Sequence, residues 1–220
     1  MKKQGQVYTY THKVEVCGQL TGVVTVPSGY DPEKEKLPVI VFLHGAGERG
    51  TNLDLVKVHG IPMLFCKDPD YHGLRVITLS PQCPHDMVWS SLVYPLRQWI
   101  DEAVEEFGGD PKRISITGLS MGGFGTWSMI TAMPDYFTCA APICGGGLSW
   151  LCGCLKGKKL RVYHGLDDTV VPFAYSQLMV DAARAAGADV TLTAYDHVGH
   201  GSWIKAYGET DLVEWLVDPK

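Results

Sequence analysis

Apolar and polar residues alternate along residues 7–16 and again along 20–26, the period-two signature of strands with one buried face. Their closeness in sequence predicts an antiparallel pair. Residues 37–43, LPVIVFL, form a continuous apolar run, as in a strand covered on both faces, and residues 75–79 repeat that character. The period then changes. Leu92, Leu96, Trp99, Ile100, Ala103, Val104 and Phe107 recur at helical spacing, and Gly108-Gly109-Asp110-Pro111 ends the segment. Strands at 113–117, 138–143, 160–164 and 190–195 follow. Helices at 121–133, stopped by Pro134, and at 173–186, stopped by Gly187, lie between them, and a helix over 202–217 closes the chain. Two early strands and then repeated strand–helix units predict an α/β fold. It is expected to be one domain over residues 1–220, with a mostly parallel sheet of about eight strands and helices on both faces. In such sheets ligands bind beyond the carboxyl ends of the strands, so the loops there carry the candidate chemistry.

One of those loops holds Gly118-Leu119-Ser120-Met121-Gly122, a G-x-S-x-G pattern between strand RISIT and helix MGGFGTWSMITAM. That context is the strand–turn–helix elbow in which a serine is presented as a nucleophile. Taken alone, Ser120 would be read as a helix cap. After strand LRVYH come Asp167 and Asp168, and after strand VTLTAY come His197 and His200. Serine, acid and histidine thus follow successive strand ends in the chain order of this elbow chemistry. The histidine must take the serine proton and return it to a leaving group, while the carboxylate holds the ring in one tautomer. Asp168 is favoured over Asp167, one of the two being expected to cap the next helix or face solvent. His200, bracketed by Gly199 and Gly201, is favoured over His197. The base works neutral, so the rate is expected to fall in acid.

The loop after the third strand, His44-Gly45-Ala46-Gly47-Glu48-Arg49-Gly50, is expected to supply an oxyanion donor. The Ala46 N–H would serve alongside that of Met121. Glu48 and Arg49 are expected to brace this loop as an ion pair or to sit in solvent. The loop also spells G-x-G-x-x-G, but a dinucleotide site needs an unbroken helix after the last glycine and an acid at the end of the next strand. Gly60-Ile61-Pro62 is read as breaking that helix, and the next strand ends in Ser80-Pro81-Gln82, so an oxidoreductase is disfavoured. Trp89 and Trp203 are candidates to stack on an acyl group or sugar, or to pack at the edge of the core. Gln82 is a candidate hydrogen-bond donor to substrate.

Composition narrows the class. Among 220 residues, 45% are hydrophobic and 20% charged, ordinary for a globular protein, and the net charge of -5 argues against a nucleic-acid partner. No apolar run reaches the ~20 residues of a membrane helix and no signal peptide is read, so a cytoplasmic location is expected. An excised catalytic domain of a secreted enzyme is the alternative. Seven cysteines, Cys17, Cys66, Cys83, Cys139, Cys144, Cys152 and Cys154, form no tight framework. They suggest a reducing compartment or at most one or two bridges. No zinc pattern is complete, and Cys139 and Cys144 read as small core residues.

Together HGAGERG, SPQCP, GLSMGG, PICGGG, HGLDD-TVVP and VGHGSW resemble a group of α/β-hydrolases: small lid-free esterases related to the polyhydroxybutyrate depolymerase and feruloyl esterase catalytic domains, often labelled prolyl-oligopeptidase-like. The resemblance implies Ser120 as nucleophile, Asp168 as acid and His200 as base, with no cofactor or metal. It departs at residues 148–159, where Trp150, Cys152 and Cys154 match no pattern. Residues 142–159 are too few for a helical cap, so bulky or polysaccharide-linked esters are admissible and a lipase tunnel is not expected. The expected function is a serine carboxylesterase acting on small acyl or hydroxycinnamoyl esters. A peptidase is the alternative, and a hydrolase fold kept only for binding is a third reading. Oligomeric state is not legible.

Overall fold

The structure, a computed structural model, describes residues 5–14 and 18–220. Cys17 and the last two residues of the first expected strand, Glu15 and Val16, lie outside them. The strands are β1 (Gln6–Val14), β2 (Gly18–Val26), β3 (Leu37–Leu43), β4 (Ile77–Gln82), β5 (Gly109–Leu119), β6 (Cys139–Ile143), β7 (Lys159–Gly165) and β8 (Asp189–Tyr195). They form one eight-stranded sheet in the order β1-β2-β4-β3-β5-β6-β7-β8. Pairings β1–β2 and β2–β4 are antiparallel and all others parallel.

The uninterrupted apolar run of β3 has a simple cause. Val39, Val41 and Leu43 point into one core while Ile40 and Phe42 point into the other. The first core is roofed by α3 (Val93–Phe107), α4 (Met121–Ala132) and α5 (Ala174–Ala185), whose Trp99, Trp127 and Met179 are fully buried. The second is covered by α2 (Gly60–Lys67), α6 (Trp203–Gly208) and α7 (Leu212–Val217), through Ile61, Phe65, Tyr207 and Trp215. A short α1 (Leu53–Val56) precedes α2. Truncating any of the buried tryptophans to alanine would cost about 3–5 kcal/mol.

Three expectations change. Gly60-Ile61-Pro62 does not break a helix but begins α2, because a proline in the first turn replaces an N–H that has no intrahelical partner. The closing helix is two. Gly208 ends α6, and the Thr210 hydroxyl donates to Ala206 O (2.7 Å) while accepting from the Leu212 N–H (3.2 Å). Strand β4 runs on through Pro81 because its last pair with β3 is Leu79 with Val41, beyond which that edge needs no donor. Between β6 and β7 the described residues hold one 3-10 segment, Ser149–Cys154, and no cap domain. No helix among them is long and apolar enough to cross a membrane.

Candidate active site

Ser120 is the single residue between β5 and α4, with φ 54° and ψ −118°. A non-glycine residue in that region carries strain that the surroundings must hold. They do so by close packing. A Cβ on Gly122 would stand 1.8 Å from Leu43 O, so only glycine lets the first turn of α4 lie against β3. The Ser120 N–H donates to Ile143 O (3.0 Å), tying the elbow to β6.

The loop after β7 brings Asp168 to the site, and the loop after β8 brings His200. A Cβ on Gly165 would meet Val198 O at 2.1 Å, so glycine permits the two loops to touch. His200 Nε2 lies 2.9 Å from Ser120 Oγ, and His200 Nδ1 lies 2.7 Å from Asp168 Oδ2. Asp168 Oδ1 accepts the N–H groups of Val170 and Val171, each at 2.9 Å. Burial opposes ionisation of Asp168, but the hydrogen bonds from His200, Val171 and Val170 outweigh it and hold its pKa below the ordinary carboxylate value. The alternatives form a separate pair. Asp167 Oδ2 stands 3.8 Å from His197 Nδ1, both side chains largely in solvent.

Two histidines missed in the sequence stand behind this arrangement. His44, 1% exposed, has Nδ1 2.6 Å from Gly45 O and Nε2 2.9 Å from the Cys83 N–H. Donor and acceptor fit a neutral ring, and burial lowers its pKa to about 4. It pins the loop bearing Ala46 to the end of β4. His164, fully buried, has Nε2 2.8 Å from Val171 O and 3.2 Å from Asp168 Oδ2, with Nδ1 2.7 Å from Ser176 Oγ. Burial lowers its pKa as well, so the neutral ring donates from Nε2 toward the acid loop. One signal marks both: each is a His-Gly pair at the carboxyl end of a strand, His44-Gly45 after β3 and His164-Gly165 closing β7.

The other expected residues fall as follows. Ala46 opens a 3-10 turn directly after the His44-Gly45 pair, and Gly45 faces Ser120, whose Cβ would lie 3.7 Å from a Cβ added there. Met121 begins α4, where N–H groups have no intrahelical partner. Gln82 spends its amide N–H groups on Glu48 O (2.8 Å) and Asn52 O (2.9 Å), so it supports the loop that follows Ala46 rather than reaching into the cleft. Trp89 has no exposed surface, and its indole N–H donates to His44 O (2.9 Å), so it offers no stacking face. Trp203 is half-buried and edge-on to His200, with ring centroids 5.4 Å apart. Arg49 donates to Ala46 O (3.0 Å) and Met87 O (3.4 Å), while Glu48 Oε2 lies buried 3.8 Å from His44 Nδ1.

Ser120 and Met121 open on a cleft of about 310 Å³. Cys144 lies behind it. Its sulfur, a carboxylate oxygen of Asp168 and a ring nitrogen of His200 fall within 4.8 Å of one another. Burial pushes the Cys144 thiol up to about 12, and the other two groups are already hydrogen-bonded together, so the trio does not offer a metal three open ligands.

Comparison with known proteins bears on the fold. No family model matches. The chain is 43% identical over 153 residues to poly(3-hydroxyalkanoate) depolymerase C of Paucimonas lemoignei, covering 54% of this chain and 37% of that protein. It is 31% identical over 99 residues to carboxylesterase NlhH of Mycobacterium tuberculosis, covering 41% and 28%. The crystal structure of a thermostable esterase superposes with a TM-score of 0.85 at 33% identity, covering 96% of this chain and 62% of that one. The feruloyl esterase module from Clostridium thermocellum, complexed with sinapinate, superposes with a TM-score of 0.74 at 15% identity, over 95% and 87%. The chain thus spans well under half the length of these curated relatives.

Proposed function

We propose that the chain, which has the α/β-hydrolase fold, is a serine carboxylesterase in which Ser120, His200 and Asp168 act as nucleophile, base and acid. The observation that carries this is the continuous relay from Ser120 Oγ to His200 Nε2 (2.9 Å) and from His200 Nδ1 to Asp168 Oδ2 (2.7 Å), mounted on a strained elbow.

Asp168, bound by two main-chain N–H groups, is an acceptor only, so His200 carries its proton on Nδ1 and leaves Nε2 free to accept. The Ser120 oxygen attacks the ester carbonyl as its proton passes to His200 Nε2. The imidazolium is stabilised by Asp168 and returns the proton to the departing alcohol oxygen, leaving an acyl-enzyme. Water repeats the sequence and releases the acid. The tetrahedral oxyanion is received by the Ala46 and Met121 N–H groups; a missing donor of this kind costs about 10²–10³ in kcat. The substrates are small acyl and hydroxycinnamoyl esters. Two features support that class: no cap over the cleft among the described residues, and the fold shared with a module that binds sinapinate.

A fluorophosphonate should label the wild type and not Ser120→Ala, and hydrolysis of p-nitrophenyl butyrate and methyl ferulate should be lost in the same variant. Retained turnover in Ser120→Ala, or peptide amides cleaved faster than esters, would overturn the proposal.

A further inference from the structure

A trough of about 760 Å³ begins beside the Ser120 cleft and shares Ser90 and Phe124 with it. Its volume is within the range of small-molecule sites, about 300–1,000 Å³. The floor is the outer face of α4. Phe124, Ser128 and Thr131 follow Ser120 at helical spacing, so at 1.5 Å per residue the floor extends about 16 Å from the nucleophile. One wall is the start of α3 at Tyr94. The other is the 3-10 segment with Leu148 and Leu151, the stretch whose sequence fits no family pattern. Phe124 and Tyr175 meet edge to face at 5.9 Å at the junction with the cleft.

The chemistry of this lining is selective. None of the described residues lining it is charged. Several of its residues carry hydroxyls, yet Ser128 donates to Phe124 O (3.0 Å), Thr131 to Trp127 O (2.8 Å) and Ser91 to Val88 O (2.7 Å). Those three donors are spent on backbone, while Ser90, Tyr94 and Tyr175 carry their hydroxyls at exposed positions. Meanwhile Tyr94 is 76% exposed, Leu148 50% and Leu151 44%, an apolar rim that water covers poorly. A sugar would find few partners for its hydroxyls here, whereas a hydrocarbon or aryl chain loses no hydrogen bonds on entering.

We propose that this trough is a second subsite of the same active site, taking the apolar chain that extends from the scissile ester: an alkyl or aryl group several carbons long, and not a saccharide. The assignment rests on Ser120 being the nucleophile, since the trough is measured from it. Its occupant is the substrate because the trough shares Ser90 and Phe124 with the cleft that holds Ser120. Acyl-side and alcohol-side substrate series distinguish which half of the ester supplies that chain.

The test is kcat/KM for p-nitrophenyl butyrate, hexanoate and octanoate (acyl side) and for butyl, hexyl and octyl acetate (alcohol side). A fully buried methylene is worth about a fourfold gain, so one series should rise at least about tenfold from four to eight carbons. Leu151→Asp and Ser128→Trp should each cut that eight-to-four ratio about tenfold. Met63→Asp, on the opposite face of the sheet, should leave it at the wild-type value. Flat series on both sides, or ratios insensitive to both trough variants, overturn the proposal, as does a larger gain from adding a sugar to the alcohol. Equilibrium dialysis of p-nitrophenyl octanoate with Ser120→Ala separates the two claims. Turnover persisting in that protein refutes the nucleophile, whereas octanoate binding unaffected by adding Leu151→Asp refutes the trough.

Discussion

Replacing Asp168 by asparagine exchanges one oxygen for an amide nitrogen at nearly constant volume, and the surroundings dictate where that nitrogen goes. Oδ1 accepts two main-chain N–H groups at 2.9 Å, so an NH2 group there would oppose two donors. The nitrogen must take the Oδ2 position, facing His200 Nδ1 at 2.7 Å and His164 Nε2 at 3.2 Å. Facing an amide donor, His200 accepts through Nδ1 and carries its proton on Nε2. It then donates to Ser120 Oγ and cannot take the serine proton. His164 cannot relieve the second conflict, because its Nε2–H is needed by Val171 O at 2.8 Å. An enzyme whose base is locked in the wrong tautomer loses about 10⁴ in kcat, equivalent to about 5.4 kcal/mol of transition-state stabilisation. Steady-state hydrolysis of p-nitrophenyl butyrate by Asp168→Asn, with circular dichroism as the check on folding, measures this. Asp167→Asn, on an exposed side chain, should stay within about twofold of wild type. A folded Asp168→Asn protein retaining more than a tenth of wild-type kcat refutes the tautomer argument. The same carboxylate also predicts a pH dependence. Its folded pKa is depressed, so its stabilisation is present above the unfolded value of about 3.9 and fades as pH falls through the folded one. The urea midpoints of wild type and Asp168→Asn should therefore converge in strong acid.

The remaining predictions concern the supports. His44 is neutral in the fold down to about pH 4 but titrates near 6.5 when unfolded, so between those values only the unfolded chain gains the proton; about 3 kcal/mol of stability should be lost over that window, and urea melts at pH 7 and 4.5 should show His44→Gln spared most of it. His164→Gln should cost about 2–3 kcal/mol by leaving Val171 O without its donor, and should lower kcat with little change in KM, because the acid is misplaced and not the substrate; an unchanged thermal midpoint would count against this. Gly122→Ala should cost more than about 3 kcal/mol or fail to fold, since its Cβ would lie 1.8 Å from Leu43 O, and a normal melting curve would show that the elbow can relax.

Much of this was legible because the sheet imposes periodicity and order. The β3 run announced a two-sided strand, and the alternation of strand and helix placed Ser120, Asp168 and His200 at the carboxyl ends of β5, β7 and β8, where the structure brings them within hydrogen-bonding distance. What stayed hidden depends on partners distant along the chain. His44 takes its role from the Cys83 N–H, and the His-Gly pair that marks it does not say which distant group it binds. Trp89 reads the same whether its ring lines a cleft or lies beneath one, and the loop's path buries it. The break at Gly208 and the start at Gly60 are local choices that apolar spacing does not resolve. The trough wall at Leu148 and Leu151 comes from an irregular segment without a period to read.

The two buried histidines give the site a common dependence on proton concentration. His44 fixes the loop carrying Ala46, and His164 braces the loop carrying Asp168; both are kept neutral by burial. Acid therefore acts at two levels. Protonating His200 removes the base without disturbing any support. Protonating His44 replaces its acceptor by a second donor facing the Cys83 N–H, so the oxyanion loop loses its anchor to β4. The loss of that anchor should appear together with unfolding as pH falls toward about 4, because burial resists the proton until then. An unchanged melting temperature between pH 7 and pH 4 would show that the contact between His44 and the Cys83 N–H does not hold this loop.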